Sequence, residues 1–174
     1  MQLPNPEALL SDITAQIKAQ LQPTSALVGI HSGGVWLMQR ILKSVGDIAH
    51  GNILHGTILN GTLDAALYRD DFAQRGLKTA PKPSNIPFDV AGKHIILIDD
   101  IFYTGRTVRA AMNELFDFGR PASITLAVLI NRGGAQLPIR PQIVGADIAL
   151  TPSQNLQLSQ NTQGLLSLTL EENN

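Results

Sequence analysis

Residues 95–108 read Ile-Ile-Leu-Ile-Asp-Asp-Ile-Phe-Tyr-Thr-Gly-Arg-Thr-Val, and this stretch decides the fold. Its four leading aliphatic residues predict a strand that is buried on both faces, as in a parallel sheet covered by helices. Asp99 and Asp100 follow at the expected, solvent-facing end of that strand, and a small polar turn then leads into a helical pattern. A buried strand, an acidic edge and a turn at a helix start form a place that suits a sugar and a phosphate.

The turn after the acidic pair carries the groups that a phosphate needs. Backbone N–H groups at a helix start point toward an anion, Gly105 allows close approach of the chain, and Thr104 and Thr107 add hydroxyl donors. The carboxylates of Asp99 and Asp100 can accept hydrogen bonds from vicinal ribose hydroxyls. The alternative is an ordinary crossover from strand to helix in which the acids only cap the helix.

Helical and extended patterns alternate on both sides of this stretch. Apolar spacing predicts helices from Pro6 to the break at Pro23, over residues 35–45 and over residues 105–118, the last with Val108, Ala111, Met112, Leu115 and Phe116 on its inner face. Strands are expected over residues 26–30, 53–68, 94–98 and 124–130, with short closing strands over 143–170. Asn60-Gly61 predicts a hairpin, or else a bulge in one strand. This alternation predicts a parallel α/β sheet with right-handed crossovers.

Composition sets limits on the class of protein. A chain of 174 residues with 44% hydrophobic and 16% charged residues is expected to form one globular domain over residues 1–174. We expect a cytoplasmic protein, because no apolar run reaches membrane-spanning length, the first 22 residues lack a signal-peptide pattern, and cysteine is absent. The four histidines show no metal-ligand spacing, and a net charge of −1 argues against a fold-wide basic field for nucleic acid.

Several further segments resemble one known family. Leu67-Tyr68-Arg69-Asp70-Asp71, the Asp-Asp and Thr-Gly-Arg-Thr stretch, Gly119-Arg120-Pro121-Ala122-Ser123-Ile124 and Leu137-Pro138-Ile139-Arg140 occur in the order typical of the pyrimidine-operon regulator/uracil phosphoribosyltransferase family. The resemblance extends over about residues 27–145. It implies a type I phosphoribosyltransferase-like parallel sheet flanked by helices, with a small hood and a flexible lid loop. It also implies a homodimer or higher homo-oligomer.

The resemblance implies a reaction of uracil with phosphoribosyl pyrophosphate (PRPP), together with Mg²⁺, to give UMP and pyrophosphate. Asp99 and Asp100 would bind the ribose hydroxyls and the metal. The 5′-phosphate would be held by the five residues that follow, namely Tyr103, Thr104, Gly105, Arg106 and Thr107. Tyr103 is also typical of simple packing beside a helix start.

Two glycine-containing turns after other strands are implied to complete the site. His31-Ser32-Gly33-Gly34 stands where the family binds pyrophosphate, and Gly33 replaces the arginine that is usual there. Two glycines at a strand–helix turn are equally typical of plain turn geometry. Asn131, Arg132 and Gly133 stand where the family recognises the base, although Asp-Arg-Gly-His is the usual order.

Residues 69–89 carry charges, three prolines and no apolar period, and this predicts a long loop. Its functional interpretation is a lid that closes over PRPP and excludes water. Arg69 would then lie near pyrophosphate, with Asp70 and Asp71 near the metal. An unstructured connection is the alternative.

Two other functions remain open at this point. The pocket could bind UMP or UTP purely as a sensor in a regulator, or the chain could be a phosphoribosyltransferase for a purine. RNA binding through a broad basic face is doubtful, because Gly134 and Ala135 stand where RNA-binding members tend to have histidine and arginine, and Lys18 is the one cation of the first helix.

Overall fold

The structure is a computed structural model that describes residues 2–46, 58–65 and 83–172. The helices and strands follow one another in the order α1 (Pro6–Gln20), β1 (Ser25–Ile30), α2 (Gly33–Gly46), β2 (Leu59–Leu63), β3 (His94–Phe102), α3 (Arg106–Asp117), β4 (Ser123–Asn131), β5 (Ile143–Asp147), β6 (Gln154–Gln160) and β7 (Leu166–Glu172). Five of the strands form a sheet in the order β2-β1-β3-β4-β5, and every pairing in it is parallel. This is the predicted parallel α/β fold.

The central strands are apolar because both faces of the sheet are covered by helices. One face packs against α1 and α2, whose buried side chains include Ile13, Ile17 and Ile41. The other face packs against α3 through Val108, Ala111 and Leu115. Both faces exclude water, so the uninterrupted aliphatic runs of β1 and β3 fit their positions in the middle of the sheet.

The last two strands, β6 and β7, form a separate antiparallel pair. Leu156, Leu158 and Leu166 of this pair belong to the same buried cluster as α1 and α2. Glu7 of α1 also connects this strand pair to the helices. Its carboxylate accepts hydrogen bonds from the Leu166 backbone N–H at 2.9 Å and from Arg40 of α2 at 2.7 Å. The closing strands are therefore packed onto the helical layer of the main sheet.

Four sequence expectations need correction. Strand β3 continues to Phe102, because its pairing with β4 runs through Phe102 and Asn131. Helix α2 begins at Gly33 rather than after the Gly-Gly pair. Phe116 is 50% exposed, because it lies at the edge of the helical stripe that α3 packs against the sheet.

The fourth correction concerns Asn60-Gly61, which forms neither a hairpin nor a bulge. Both residues lie inside β2, in unbroken parallel register with β1. Glycine is needed at position 61 for a different reason: a Cβ there would lie 2.8 Å from the carbonyl oxygen of Asn85. Gly61 thus lets the segment around Asn85 pair with Thr62 through two backbone hydrogen bonds of 2.8 Å.

The predicted lid loop lies mostly outside the described residues, as does the extended pattern on either side of residues 58–65. Its last part, residues 83–89, runs along the edge of β2, where the Ser84 hydroxyl accepts from the Asp64 backbone N–H at 2.9 Å. No helix within the described ranges combines the length and the apolar character that a membrane span requires.

Candidate functional site

The candidate site lies at the carboxyl ends of β1 and β3. The chain leaves β1 to form β2 on one side, and it later returns to form β3 on the other side of β1. The helices that follow β1 and β3 cover opposite faces of the sheet, so their N-termini lie on opposite sides of the two strand ends. Such a switch in strand order is where ligands bind in open α/β sheets.

The acidic pair is built into β3 rather than placed beyond its end. Asp99 is 5% exposed and Asp100 is 8% exposed, which corrects the expectation of a solvent-facing strand end. The Asp99 Oδ1 atom accepts from the backbone N–H of Asp100, and the Asp100 Oδ1 atom accepts from that of Ile101, each at 3.0 Å. These bonds fix the orientation of both carboxyl groups while leaving further lone pairs on their oxygens.

The turn from β3 to α3 brings backbone N–H groups to the same edge. Gly105 precedes the helix with φ +91°, a conformation that favours glycine, and makes no side-chain capping bond. Thr104 is buried, and its Oγ1 atom accepts from the Arg106 backbone N–H at 3.3 Å. Arg106 is exposed and Thr107 is half-buried. The α3 N-terminus therefore has the form of an anion-binding turn.

The first turn of α2 approaches this edge from the neighbouring strand. His31 and Ser32 are half-buried and joined by a cis peptide bond, and the Ser32 carbonyl accepts the Trp36 N–H at 3.2 Å. Gly33 and Gly34 are buried in the helix itself. A Cβ on Gly34 would lie 3.0 Å from the carbonyl carbon of Ile98, so the helix start rests directly on the backbone of β3.

The turn after β4 closes the other side of the site. The guanidinium of Arg132 lies 3.9 Å from the centre of the Tyr103 ring, a cation–π contact. Its Nη2 atom donates to the carbonyl oxygen of Gln154 at 2.6 Å. Gly134 adopts φ +80°, and a Cβ there would lie 2.8 Å from the Tyr103 ring. The Tyr103 ring is therefore packed against the turn after β4.

Sequence reasoning missed several residues of this turn. Asp147 of β5 accepts from the Asn131 side-chain amide at 2.7 Å, and the Gln136 N–H donates to the Thr104 carbonyl at 3.0 Å. The register of β4 with β5 pairs Asn131 with Asp147, but a strand pairing between segments 16 residues apart has no local sequence signal. Gly133 is exposed, with φ +75° and open space around it.

The residues expected near pyrophosphate and metal in the lid, Arg69, Asp70 and Asp71, lie outside the described residues. Across the part of the chain that is described, no three acidic or histidine side chains come together as a metal site. The donor set of Asp99 and Asp100 nevertheless suits Mg²⁺, which is commonly bound through one or two carboxylates together with substrate phosphates and water.

Comparison with known proteins places the chain among phosphoribosyltransferases. The family model for the phosphoribosyl transferase domain matches residues 2–152. A protein of Pseudomonas fluorescens named bifunctional protein PyrR is 45% identical over 163 residues, which cover 91% of this chain and 92% of the relative. The protein of the same name from Pseudomonas savastanoi pv. phaseolicola is 44% identical over 91% of both chains.

Solved structures agree on the fold. A hypoxanthine-guanine phosphoribosyltransferase from Bacillus anthracis has a TM-score of 0.62 at 16% identity, covering 88% of this chain and 85% of its own. A hypoxanthine phosphoribosyltransferase from Trypanosoma cruzi has a TM-score of 0.62 at 18% identity, covering 88% and 82%. At these identities the likeness concerns the fold alone.

Proposed function

Because the chain belongs to the phosphoribosyl transferase domain family, and within it to the family of proteins named bifunctional protein PyrR, we propose that it makes UMP and pyrophosphate from uracil and PRPP. We further propose that the same pocket senses uridine nucleotides and so regulates pyrimidine synthesis. The observation that carries the proposal is the meeting of the acidic pair of β3 with two helix N-termini at the switch point of a parallel sheet.

The ribose and its 5′-phosphate are assigned to β3 and the start of α3. Asp99 and Asp100 accept hydrogen bonds from the 2′- and 3′-hydroxyls, and their negative charge stabilises the positive character that develops at the anomeric carbon. The turn Thr104–Thr107 binds the 5′-phosphate through backbone N–H groups and hydroxyls. Its backbone is already organised before a ligand arrives, because Gly105 has the conformation that starts α3 and Thr104 is buried beneath it.

Pyrophosphate is assigned to the start of α2, where His31, Ser32, Gly33 and Gly34 present backbone close to the acidic pair. Mg²⁺ would enter with PRPP as part of the substrate and, when bound, would offset the charge of the leaving pyrophosphate. Asp99 and Asp100 are the described carboxylates that would contact it. The contribution of Asp70, Asp71 and Arg69 is proposed on the resemblance alone.

The base is assigned to the turn after β4, where Asn131 and Gly133 present backbone groups beside Arg132. In the reaction, a uracil nitrogen forms a bond to the anomeric carbon while the bond from that carbon to pyrophosphate breaks, and the nitrogen releases its proton. The protein supplies alignment and electrostatic stabilisation rather than a covalent intermediate. Uracil is favoured over a purine by the family resemblance, since the solved purine-specific neighbours share the fold alone.

The experiment is a competition between bases. Labelled uracil, hypoxanthine, guanine and cytosine are incubated separately with PRPP, Mg²⁺ and the purified protein, and the nucleotide products are separated and counted. We expect UMP alone, at a rate that falls to background when Mg²⁺ is chelated. Formation of IMP or GMP would instead show that the protein is a purine phosphoribosyltransferase. Binding of UMP without any turnover would show that it is a nucleotide sensor without enzymatic activity.

A further inference from the structure

Gly33 stands in contact with the carboxylate of Asp100. A Cβ added to Gly33 would meet three atoms first, and all three belong to Asp100: its Oδ2, its Cγ at 2.5 Å and its Cβ at 2.7 Å. Distances under 3.0 Å are essentially never adopted by real Cβ atoms. Both residues are buried, so neither can move into solvent without opening the site. Glycine is therefore required at position 33 for as long as Asp100 keeps its place.

The carboxylate of Asp100 is held from two sides. Its Oδ1 atom accepts the Ile101 backbone N–H of its own strand at 3.0 Å. Its Oδ2 atom lies against the first residue of α2, the end at which the helix dipole is positive and the N–H groups have no partner within the helix. The favourable dipole and the missing side chain both stabilise this position, which lies between the acidic strand and the turn assigned to pyrophosphate.

We propose that Gly33 is a positioning residue for Asp100: because it has no side chain, it admits that carboxylate to the start of α2 and sets its orientation toward the ribose. The inference rests on the proposed function for the identity of the ligand. It also gives a reason for the departure from the family pattern at this position. A side chain at position 33 would meet the Asp100 carboxylate where it stands in this chain, so an arginine there would require Asp100 or the start of α2 to shift.

The first test is Gly33→Ala, assayed for UMP formation with each substrate varied in turn. The added methyl group displaces the Asp100 carboxylate, and a misplacement of about 1 Å in a positioned group costs on the order of 100-fold in rate. We expect this loss to appear in kcat/KM for PRPP, while the KM for uracil stays unchanged. A merely structural defect reduces the fraction of folded enzyme, which circular dichroism and thermal unfolding report. A loss of UMP formation that is fully accounted for by a smaller folded fraction would overturn the inference.

The second test is Gly33→Arg, for which charge and shape predict opposite results. If the missing arginine limits pyrophosphate binding, then restoring it strengthens PRPP binding. If the space is needed by Asp100, the variant binds PRPP more weakly than the parent, and this is the result we expect from calorimetric titration with PRPP and Mg²⁺. Tighter binding by Gly33→Arg would contradict the proposal.

Two further variants distinguish the steric clash between position 33 and Asp100 from a general destabilisation of helix α2. Gly46→Ala is the matched control, because it adds the same methyl group to the other end of α2, where no atom of the described residues lies within 4 Å. Its activity should stay within about two-fold of the parent. Asp100→Gly removes the side chain with which the methyl group of Gly33→Ala would clash. Gly33→Ala should therefore lower the Tm of the parent but not that of the Asp100→Gly protein; equal losses in both backgrounds would refute the contact.

The effect of Gly33→Ala on Tm in the two backgrounds can be interpreted without knowing which base the protein uses. Failure of the parent to bind PRPP would contradict the proposed function, whereas PRPP binding that is insensitive to Gly33→Ala would contradict this inference alone.

Discussion

At the scale of single residues, Arg132 joins the turn after β4 to two other parts of the molecule. Its planar guanidinium stacks on Tyr103 of the turn after β3, and its Nη2 atom donates to the carbonyl of Gln154 where β6 begins. Lysine would keep the charge but not the flat face or the directed donors. The side chain therefore organises the site besides carrying a charge toward it.

We predict that Arg132→Lys destabilises the contacts that join the turn after β4 to Tyr103 and to the start of β6. Loss of the cation–π contact and of one charge-assisted hydrogen bond should cost about 1–2 kcal/mol of the free energy of unfolding. For a chain of this size that corresponds to a Tm lower by about 2–8 °C. Hydrogen exchange of the β6 amides should quicken as well. Arg140→Lys, a change at an exposed arginine beyond the same turn, is the control. Parent-like exchange in β6 would show that Arg132 does not anchor it.

Residue types at the site could be inferred from the sequence, but their neighbours could not. The acidic pair, Thr104 and Gly105 were recognisable because their chemistry is local to one strand–turn–helix stretch. The contact of Gly33 with Asp100 joins segments 67 residues apart, and no local pattern reports it. The same holds for the stacking of Arg132 on Tyr103.

At the scale of elements, one ion pair connects the first helix, the second helix and the closing strands. Arg40 of α2 donates to Glu7 of α1 and also to the Gly164 carbonyl ahead of β7, at 3.0 Å. The hydrogen bond from Arg40 holds the pKa of Glu7 below its ordinary value of 4.5, against the opposing effect of burial, and the Leu166 N–H adds to the lowering. Both side chains are about one-third exposed, so solvent weakens their attraction.

The lowered pKa predicts how this contact depends on pH. Glu7 is more acidic in the folded chain than in the unfolded chain, so it contributes stability above pH 4.5, and this contribution is lost as the pH falls through the folded value. Glu7→Gln should lower the free energy of unfolding by about 1 kcal/mol at pH 7, or about 2–4 °C in Tm, with a smaller difference in acid. Asp12→Asn, at an exposed position on α1, is the control. A difference in Tm that grows in acid would contradict this account.

Element order followed from the sequence because the central strands are uninterrupted aliphatic runs and the helices have an apolar period of 3.6 residues. Boundaries were less accurate at the site itself. The expected end of β3 fell at Ile98, before the acidic pair, because charged residues are rare inside buried strands. In the structure the strand continues through both aspartates to Phe102. Asn60-Gly61 suggested a hairpin because the dipeptide favours tight turns, but Gly61 serves the close approach of Asn85 instead.

At the scale of the whole molecule, the distribution of charge bears on partners. The chain carries a net charge of −1, and two of its cations on α1 and α2 have protein partners: Lys18 donates to Ser44 at 3.0 Å and Arg40 pairs with Glu7. Binding to RNA depends on the number of phosphates that such cations neutralise. Helices α1 and α2 therefore carry few cations for such contacts.

We predict the absence of tight, nucleotide-dependent binding to a pyrimidine-operon leader RNA. In a filter-binding assay at physiological salt, the Kd should be about 1 μM or weaker with or without UMP. The same RNA at low ionic strength is the control, since nonspecific binding strengthens as salt falls. Nanomolar binding that UMP stimulates would overturn the prediction. If tight RNA binding is absent as predicted, any regulation by this protein would act through another partner or through UMP synthesis itself.

The central claim concerns the edge of the sheet at which β1 and β3 end. The most direct measurement is the rate of UMP formation from uracil and PRPP by the parent and by the Asp99→Asn/Asp100→Asn variant. Asparagine retains the side-chain oxygen that accepts the Asp100 and Ile101 backbone N–H groups, so the variant should fold with a Tm close to the parent's. It removes both negative charges, however, and the rate should fall by about 100-fold or more. Parent-like turnover by this folded variant would contradict the account.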